Sequence, residues 1–198
     1  MEMVIISGFL GAGKTSVMLR LVEQLNQANG IRIAVIENDF GKMGIDGEVM
    51  RKYGLDVRDL KGGCICCTLS ANLVDTLRLL GANMDPDMVM VEPTGVADPE
   101  YILLAVKEYT GPPITKTRLL VVLDAERFLK IKRMFERPLK NHLRTANAVV
   151  INKADLVEDA VLEGIEAEIR GMGFDGKVIR ASAESGDNMD KLAEVVRE

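Results

Sequence analysis

Gly8-Phe9-Leu10-Gly11-Ala12-Gly13-Lys14-Thr15 fits the pattern G-x-x-x-x-G-K-[ST], and the residues on either side decide what it means. Before it runs Met3-Val4-Ile5-Ile6, a β-branched apolar run that reads as a buried strand. After it, Met18, Leu21, Val22 and Leu25 recur at the spacing of one helical face. Strand, glycine loop and helix together let backbone N–H groups wrap a phosphate at the positive end of a helix. Gly8, Gly11, Ala12 and Gly13 supply the loop, and Lys14 is placed to reach the β- and γ-phosphates. Thr15 is placed to hold Mg²⁺ through its hydroxyl, and Ser16 continues the phosphate contact in the first helical turn.

Outward from this loop, apolar strands alternate with amphipathic helices to the end of the sequence. Strands are expected at 31–36, 55–60, 87–91, 119–123, 149–151 and 178–179. Leu69, Leu73, Leu77 and Leu80 stripe one helix, and Asp98-Pro99 reads as an N-cap followed by proline in the first turn of another. Two helical stretches split by Pro138 follow the fifth strand. Val161, Leu162, Ile165 and Ile169 are expected to face inward, as are Met189, Leu192 and Val196 of the closing helix. The alternation predicts an α/β phosphate-loop NTPase with a mostly parallel sheet covered by helices on both faces. Gly41 to Tyr53, rich in glycine and charge, reads as a mobile loop and a candidate switch region.

A length of 198 residues suits one domain, and the expectation is a single GTPase domain over 1–198 with no second domain. The formal net charge of -5 argues against non-specific nucleic-acid binding. The apolar runs are too short to span a bilayer and no signal peptide precedes Met3, so a cytoplasmic location without membrane association is expected. From Lys116 to Arg144 basic residues outnumber acidic ones, which reads first as a solvated face and second as a docking surface for an acidic partner. His142, the one histidine, lies in that stretch and reads as a surface residue rather than a metal ligand.

The phosphate loop alone does not select a base, but Asn152-Lys153-Ala154-Asp155 does, because it fits the N-K-x-D signature of GTPases. A carboxylate at Asp155 accepts hydrogen bonds from guanine N1–H and the 2-amino group, which adenine cannot offer. Lys153 can cover a ring face, Asn152 can brace the loop, and Ala181-Ser182-Ala183 resembles the companion segment whose backbone N–H meets guanine O6. Glu92-Pro93-Thr94-Gly95 ends a strand, where Glu92 can hold Mg²⁺ through water and the Gly95 N–H can sense the γ-phosphate. Glu37 and Asp39 are rivals for orienting the attacking water or helping to hold the metal.

All three cysteines, Cys64, Cys66 and Cys67, fall in one short stretch after Gly62-Gly63. This is not a disulfide framework; in a reducing compartment it points to soft-metal or redox chemistry. In an extended segment Cys64 and Cys66 share a face, giving half of a thiolate site for Zn²⁺, Cu⁺, Co²⁺ or Ni²⁺, to which Glu37, Asp39 or a second copy of the chain can contribute. The other reading is that the cysteines are structural.

With these motifs in this order, the sequence resembles the CobW-like GTPases, in the wider group that includes the urease and hydrogenase accessory GTPases. The resemblance rests on Gly8 to Thr15, Glu37-Asn38-Asp39-Phe40-Gly41, Gly63-Cys64-Ile65-Cys66-Cys67, Glu92 to Pro99, and Asn152 to Asp155. It implies a slow GTPase that delivers a transition metal to a client metalloprotein or metal-cofactor enzyme, with a GTP-dependent homodimer as a further implication. Two departures stand out. Relatives usually carry a second, often histidine-rich domain, and Lys42 stands where many have an acidic residue. Two competing readings are a GTP-gated effector of a partner enzyme without metal delivery, and a small-molecule kinase, which Asn152 to Asp155 disfavours.

Overall fold

The computed structural model describes residues 1–29, 31–37, 56–59, 68–93 and 98–198. Among them, seven strands form one sheet: β1 (Glu2–Gly8), β2 (Ile33–Glu37), β3 (Asp56–Asp59), β4 (Met88–Glu92), β5 (Lys116–Asp124), β6 (Ala148–Asn152) and β7 (Lys177–Arg180). Their order is β3-β2-β4-β1-β5-β6-β7, and each neighbouring pair is parallel. The parallel sheet of the phosphate-loop NTPase expectation is therefore what the chain forms.

Helices among the described residues cover it: α1 (Lys14–Asn29), α2 (Thr68–Asn83), α3 (Pro99–Lys107), α4 (Phe128–Thr145), α5 (Asp159–Gly171) and α6 (Met189–Arg197). The two-residue period of the strands divides the core between the sheet's faces. Met3, Ile5, Leu119, Val121, Val149 and Ile151 pack under α2, α3, α4 and α5. Val4, Ile6, Leu120, Val122 and Val150 pack under α1 and α6. The predicted α1 stripe of Met18, Leu21, Val22 and Leu25 is buried, as are Leu73, Leu77 and Leu80 of α2 and Met189, Leu192 and Val196 of α6.

Local signals behave as their chemistry requires. The Asp98 side chain caps α3 by accepting from the Glu100 N–H at 3.0 Å, with Pro99 in the first turn where no N–H is needed. Pro138 lies inside α4 and removes a helix hydrogen bond; the helix kinks at Phe135, which has φ -135° and ψ 39°. Strand β2 begins two residues later than the expected 31–36 because Arg32 is held by Asp87 through both its backbone and its guanidinium. Val161, expected inward, is 42% exposed. It sits at the edge of the α5 stripe whose centre is set by Leu162, Ile165 and Ile169, and the stripe is too narrow to cover it.

On the basic stretch, Lys130, Arg133, Arg137, Lys140 and Arg144 are exposed, as a solvated face requires, whereas Arg118 is buried beside Glu2. His142 departs from the surface expectation altogether. It is 3% exposed, one helical step from buried Leu139 and Leu143. Among the described residues no helix is long and apolar enough to cross a membrane.

Candidate functional site

Strand β1 runs between β4 and β5, so the carboxyl ends of these three strands converge where an open α/β sheet places its ligand. Gly8 ends β1, Glu92 ends β4 and Asp124 ends β5. The loop after Gly8 turns back on itself through the Ala12 N–H, which donates to Phe9 O at 3.1 Å, and α1 starts at Lys14. Gly13 has φ +86°, and a Cβ there would overlap Asn152 Nδ2, so the loop's close seat on β6 requires glycine at this position.

The two residues expected to meet phosphate and Mg²⁺ both point at Glu92. The Thr15 hydroxyl donates to Glu92 Oε2 at 2.7 Å, and Lys14 Nζ lies 3.6 Å from Glu92 Oε1. Lys14 is buried and Glu92 is partly buried. A hydroxyl and a carboxylate converging at a helix start form the hard-oxygen set that suits Mg²⁺. Glu37 closes β2 in register with Glu92 on the neighbouring strand, which brings it to the same sheet edge. Ser16 is exposed in the first turn of α1. Asp39, Gly95, Cys64, Cys66 and Cys67 lie outside the described residues.

The Asn152-Lys153-Ala154-Asp155 loop follows β6. Asn152, 2% exposed, donates from Nδ2 to Ala12 O at 2.9 Å and accepts the Ala183 N–H on Oδ1 at 3.0 Å. One amide thus joins the phosphate loop, the loop after β6 and the segment after β7. Lys153 takes a left-handed conformation, φ 61° and ψ 34°. Its Nζ donates to Asp124 Oδ2 at 2.6 Å, while Asp124 Oδ1 accepts the Glu126 and Arg127 N–H groups. Asp155 sits exposed in a single 3₁₀ turn, Ala154–Leu156, held to the next segment by the Ala154 N–H on Ala181 O at 3.1 Å. Ser182 is buried and accepts the Ser185 N–H on its hydroxyl. The Ala183 N–H, on the segment expected to meet guanine O6, donates to Asn152 Oδ1.

The sequence motifs assign no role to Asp124, Arg20 or His142. An acidic residue closing an apolar strand is the visible signal for Asp124, and the Leu139–Leu143 helical spacing is the signal for His142. Beneath the phosphate loop His142 Nδ1 lies 3.1 Å from the Ser7 hydroxyl, and its ring stacks on Phe9 with centroids 5.3 Å apart. Phe9 in turn packs on Phe135 at 5.7 Å, and the neighbouring Asn141 donates to Asp98. Burial holds the imidazole below its ordinary pKa; Asp98 opposes this and Lys14 adds to it.

A group whose folded pKa is depressed binds its proton sooner in the unfolded chain. Stability therefore rises with pH between the folded value and ~6.5, and is lost as pH falls through that window. Wild-type protein should lose melting temperature as pH falls below about 6.5, and His142→Gln should flatten that slope. Parallel slopes in the two proteins would place the acid sensitivity elsewhere.

Residues 2–180 match the family described as "CobW/HypB/UreG, nucleotide-binding domain". A zinc chaperone CobW from Sinorhizobium sp is 31% identical over 197 residues, covering 83% of this chain and 54% of its own length. The zinc chaperone YeiR of Escherichia coli K12 is 33% identical over 152 residues, covering 76% of this chain and 46% of its own. The chain thus spans about half the length of these curated relatives. Among solved structures, the hydrogenase maturation factor HypB from Archaeoglobus fulgidus superposes with a TM-score of 0.74 at 18% identity, over 99% of this chain and 88% of that one. The Zn(II)-bound YjiA GTPase from E. coli gives 0.59 at 25% identity, over 85% and 54%. With its phosphate loop, carboxylate-ended β4 and Asn-Lys-Ala-Asp loop, this chain belongs to the CobW/HypB/UreG nucleotide-binding family and has the phosphate-loop fold.

Proposed function

We propose that the chain acts as a single GTPase domain that binds Mg²⁺ and GTP, hydrolyses GTP slowly, and carries a transition metal to a client metalloprotein or metal-cofactor enzyme in the cytoplasm. The observation that carries the nucleotide half of this reading is the convergence of Lys14 and Thr15 on Glu92 beside the Asn152 brace. In that reading Lys14 neutralises the β- and γ-phosphates, and Thr15 with Glu92 holds Mg²⁺, Glu92 through water. Gly95 senses the γ-phosphate, Glu37 or Asp39 orients the attacking water, and Asp155 selects guanine. Phosphoryl transfer needs mainly positioning and charge neutralisation, which these groups supply.

The metal half rests on Cys64-Ile65-Cys66-Cys67 and on the relatives named zinc chaperones and zinc-regulated GTPase metalloprotein activators. Thiolates favour soft and borderline ions, so Zn²⁺, Co²⁺ and Ni²⁺ are the cargo candidates. The cysteine stretch directly precedes α2 in sequence, and Glu37 ends β2 in register with Glu92. Ordering of both loops by Mg-GTP would couple the two sites.

Linkage makes such coupling reciprocal, and a useful release requires about a 5- to 150-fold difference in metal affinity between the GTP and GDP states. The test is a competition titration of Zn²⁺ or Co²⁺ against a chromophoric chelator, with a non-hydrolysable GTP analogue and then with GDP. The GTP state should bind metal more tightly, and Cys66→Ser should abolish most of that difference while GTP affinity without metal is retained. Equal metal affinities in both states, indifferent to Cys66→Ser, would leave a GTP-gated effector with structural cysteines. Sedimentation of the two nucleotide states reports on the GTP-dependent homodimer.

A further inference from the structure

Arg20 lies on α1, on the helix that starts with Lys14 and Thr15, yet its guanidinium reaches the segment after β7. Nε donates to Ala183 O at 2.9 Å and Nη2 donates to Glu184 O at 3.0 Å. The remaining edge is held by Glu23, whose Oε2 accepts from Nη1 at 3.1 Å. A planar guanidinium fixed on three sides sets the orientation of whatever it binds. Here it binds two consecutive carbonyls of an exposed turn.

The consequence follows from peptide geometry. The Ala183 carbonyl and the Glu184 N–H belong to one planar trans peptide and point in opposite directions. With the carbonyl drawn to α1 by Arg20, the Glu184 N–H is turned away from α1.

The other N–H groups of the turn already have acceptors. Ser182 N–H donates to Asp187 O, Ala183 N–H to Asn152 Oδ1, Ser185 N–H to the Ser182 hydroxyl and Gly186 N–H to Ser182 O. Among the described residues, none accepts from the Glu184 N–H. This donor sits on the segment tied to the Asp155 turn through Ala154 N–H and Ala181 O, and through Asn152.

We propose that Arg20 is a specificity-positioning residue that presents the Glu184 N–H to the 6-oxo group of a bound guanine. The proposal rests on the guanine reading of Asp155 and replaces Ala183, whose N–H is engaged by Asn152. Guanine offers an acceptor at position 6 beside a donor at N1, so an N–H on the segment tied to the Asp155 turn suits the first and the Asp155 carboxylate suits the second. Adenine offers an amino donor at position 6 and meets the same N–H donor to donor. Arg20 touches no part of the nucleotide in this arrangement; it acts through the turn.

The test uses three triphosphates on the whole chain: GTP; inosine triphosphate, which keeps the 6-oxo group and lacks the 2-amino group; and the 2-aminopurine analogue, which keeps the 2-amino group and lacks both the 6-oxo group and the N1–H. Arg20→Ala should weaken GTP and inosine triphosphate alike, by about tenfold, and leave the 2-aminopurine analogue within about twofold. Arg20→Lys, which keeps one carbonyl contact, should recover part of the loss. Equal weakening of all three ligands would make Arg20 a merely structural tie, and no weakening of any would remove its role; either overturns the proposal. A wild-type protein that binds ATP as well as GTP would instead overturn the guanine reading, and this proposal with it.

Discussion

Lys14→Ala should weaken GTP binding by a factor of about 10²–10⁴. In the proposed role the lysine supplies charge-assisted contacts to the β- and γ-phosphates, each worth ~1.5–3 kcal/mol when the partners are sheltered from water. Its burial at 7% exposure places it on the sheltered side of that range. The structure adds a second cost. Lys14 Nζ is 3.6 Å from Glu92, so alanine leaves a partly buried carboxylate without this counter-charge at the place where a triphosphate must approach. The anion then meets repulsion as well as a lost attraction. Calorimetry with GTP and GDP checks this. GTP should lose more than GDP, because GDP lacks the γ-phosphate that Lys14 would neutralise. Wild-type affinity in the variant would show that the loop from Gly8 to Thr15 is not the phosphate site.

The parts of the fold that local chemistry dictates are legible in the residues themselves. Met3 to Ile6, with alternate residues feeding the two faces of the core, is a strand wherever it is placed. Asp98-Pro99 begins a helix because both residues satisfy its first turn locally. Asn152 reads as a brace because the motif fixes its position relative to the phosphate loop.

What stays hidden depends on which strands become neighbours. Asp124 meets Lys153 because β5 pairs with β6, Asp124 in register with Asn152, and no residue near Asp124 announces that pairing. Arg20 finds Ala183 and Glu184 because α1 and α6 share one face of the sheet. His142 misleads for a different reason. Its basic neighbours suggest solvent, while its spacing from Leu139 and Leu143 puts it on the buried stripe. The ring is accommodated because Ser7 satisfies Nδ1 and Phe9 covers its face.

Asp155→Asn should reverse the base preference, weakening GTP by about 10²-fold and strengthening xanthosine triphosphate. Asp155 is exposed in a one-turn 3₁₀ segment, and its surroundings are fixed by other residues: Asn152 joins three segments, and Lys153 is pinned in its left-handed conformation by Asp124. The substitution therefore changes hydrogen-bonding character at one position while the scaffold stands. Asparagine keeps one acceptor and gains an amide donor. Guanine's 2-amino group then faces a donor, or N1–H loses its acceptor, at ~1–3 kcal/mol for each group left unsatisfied. Xanthine carries a 2-oxo group at that place and accepts from the new amide. Competition of the two triphosphates for wild type and variant gives the ratio directly. A ratio indifferent to Asp155→Asn would mean that the loop after β6 does not read the base, and the role given to Arg20 would fall with it.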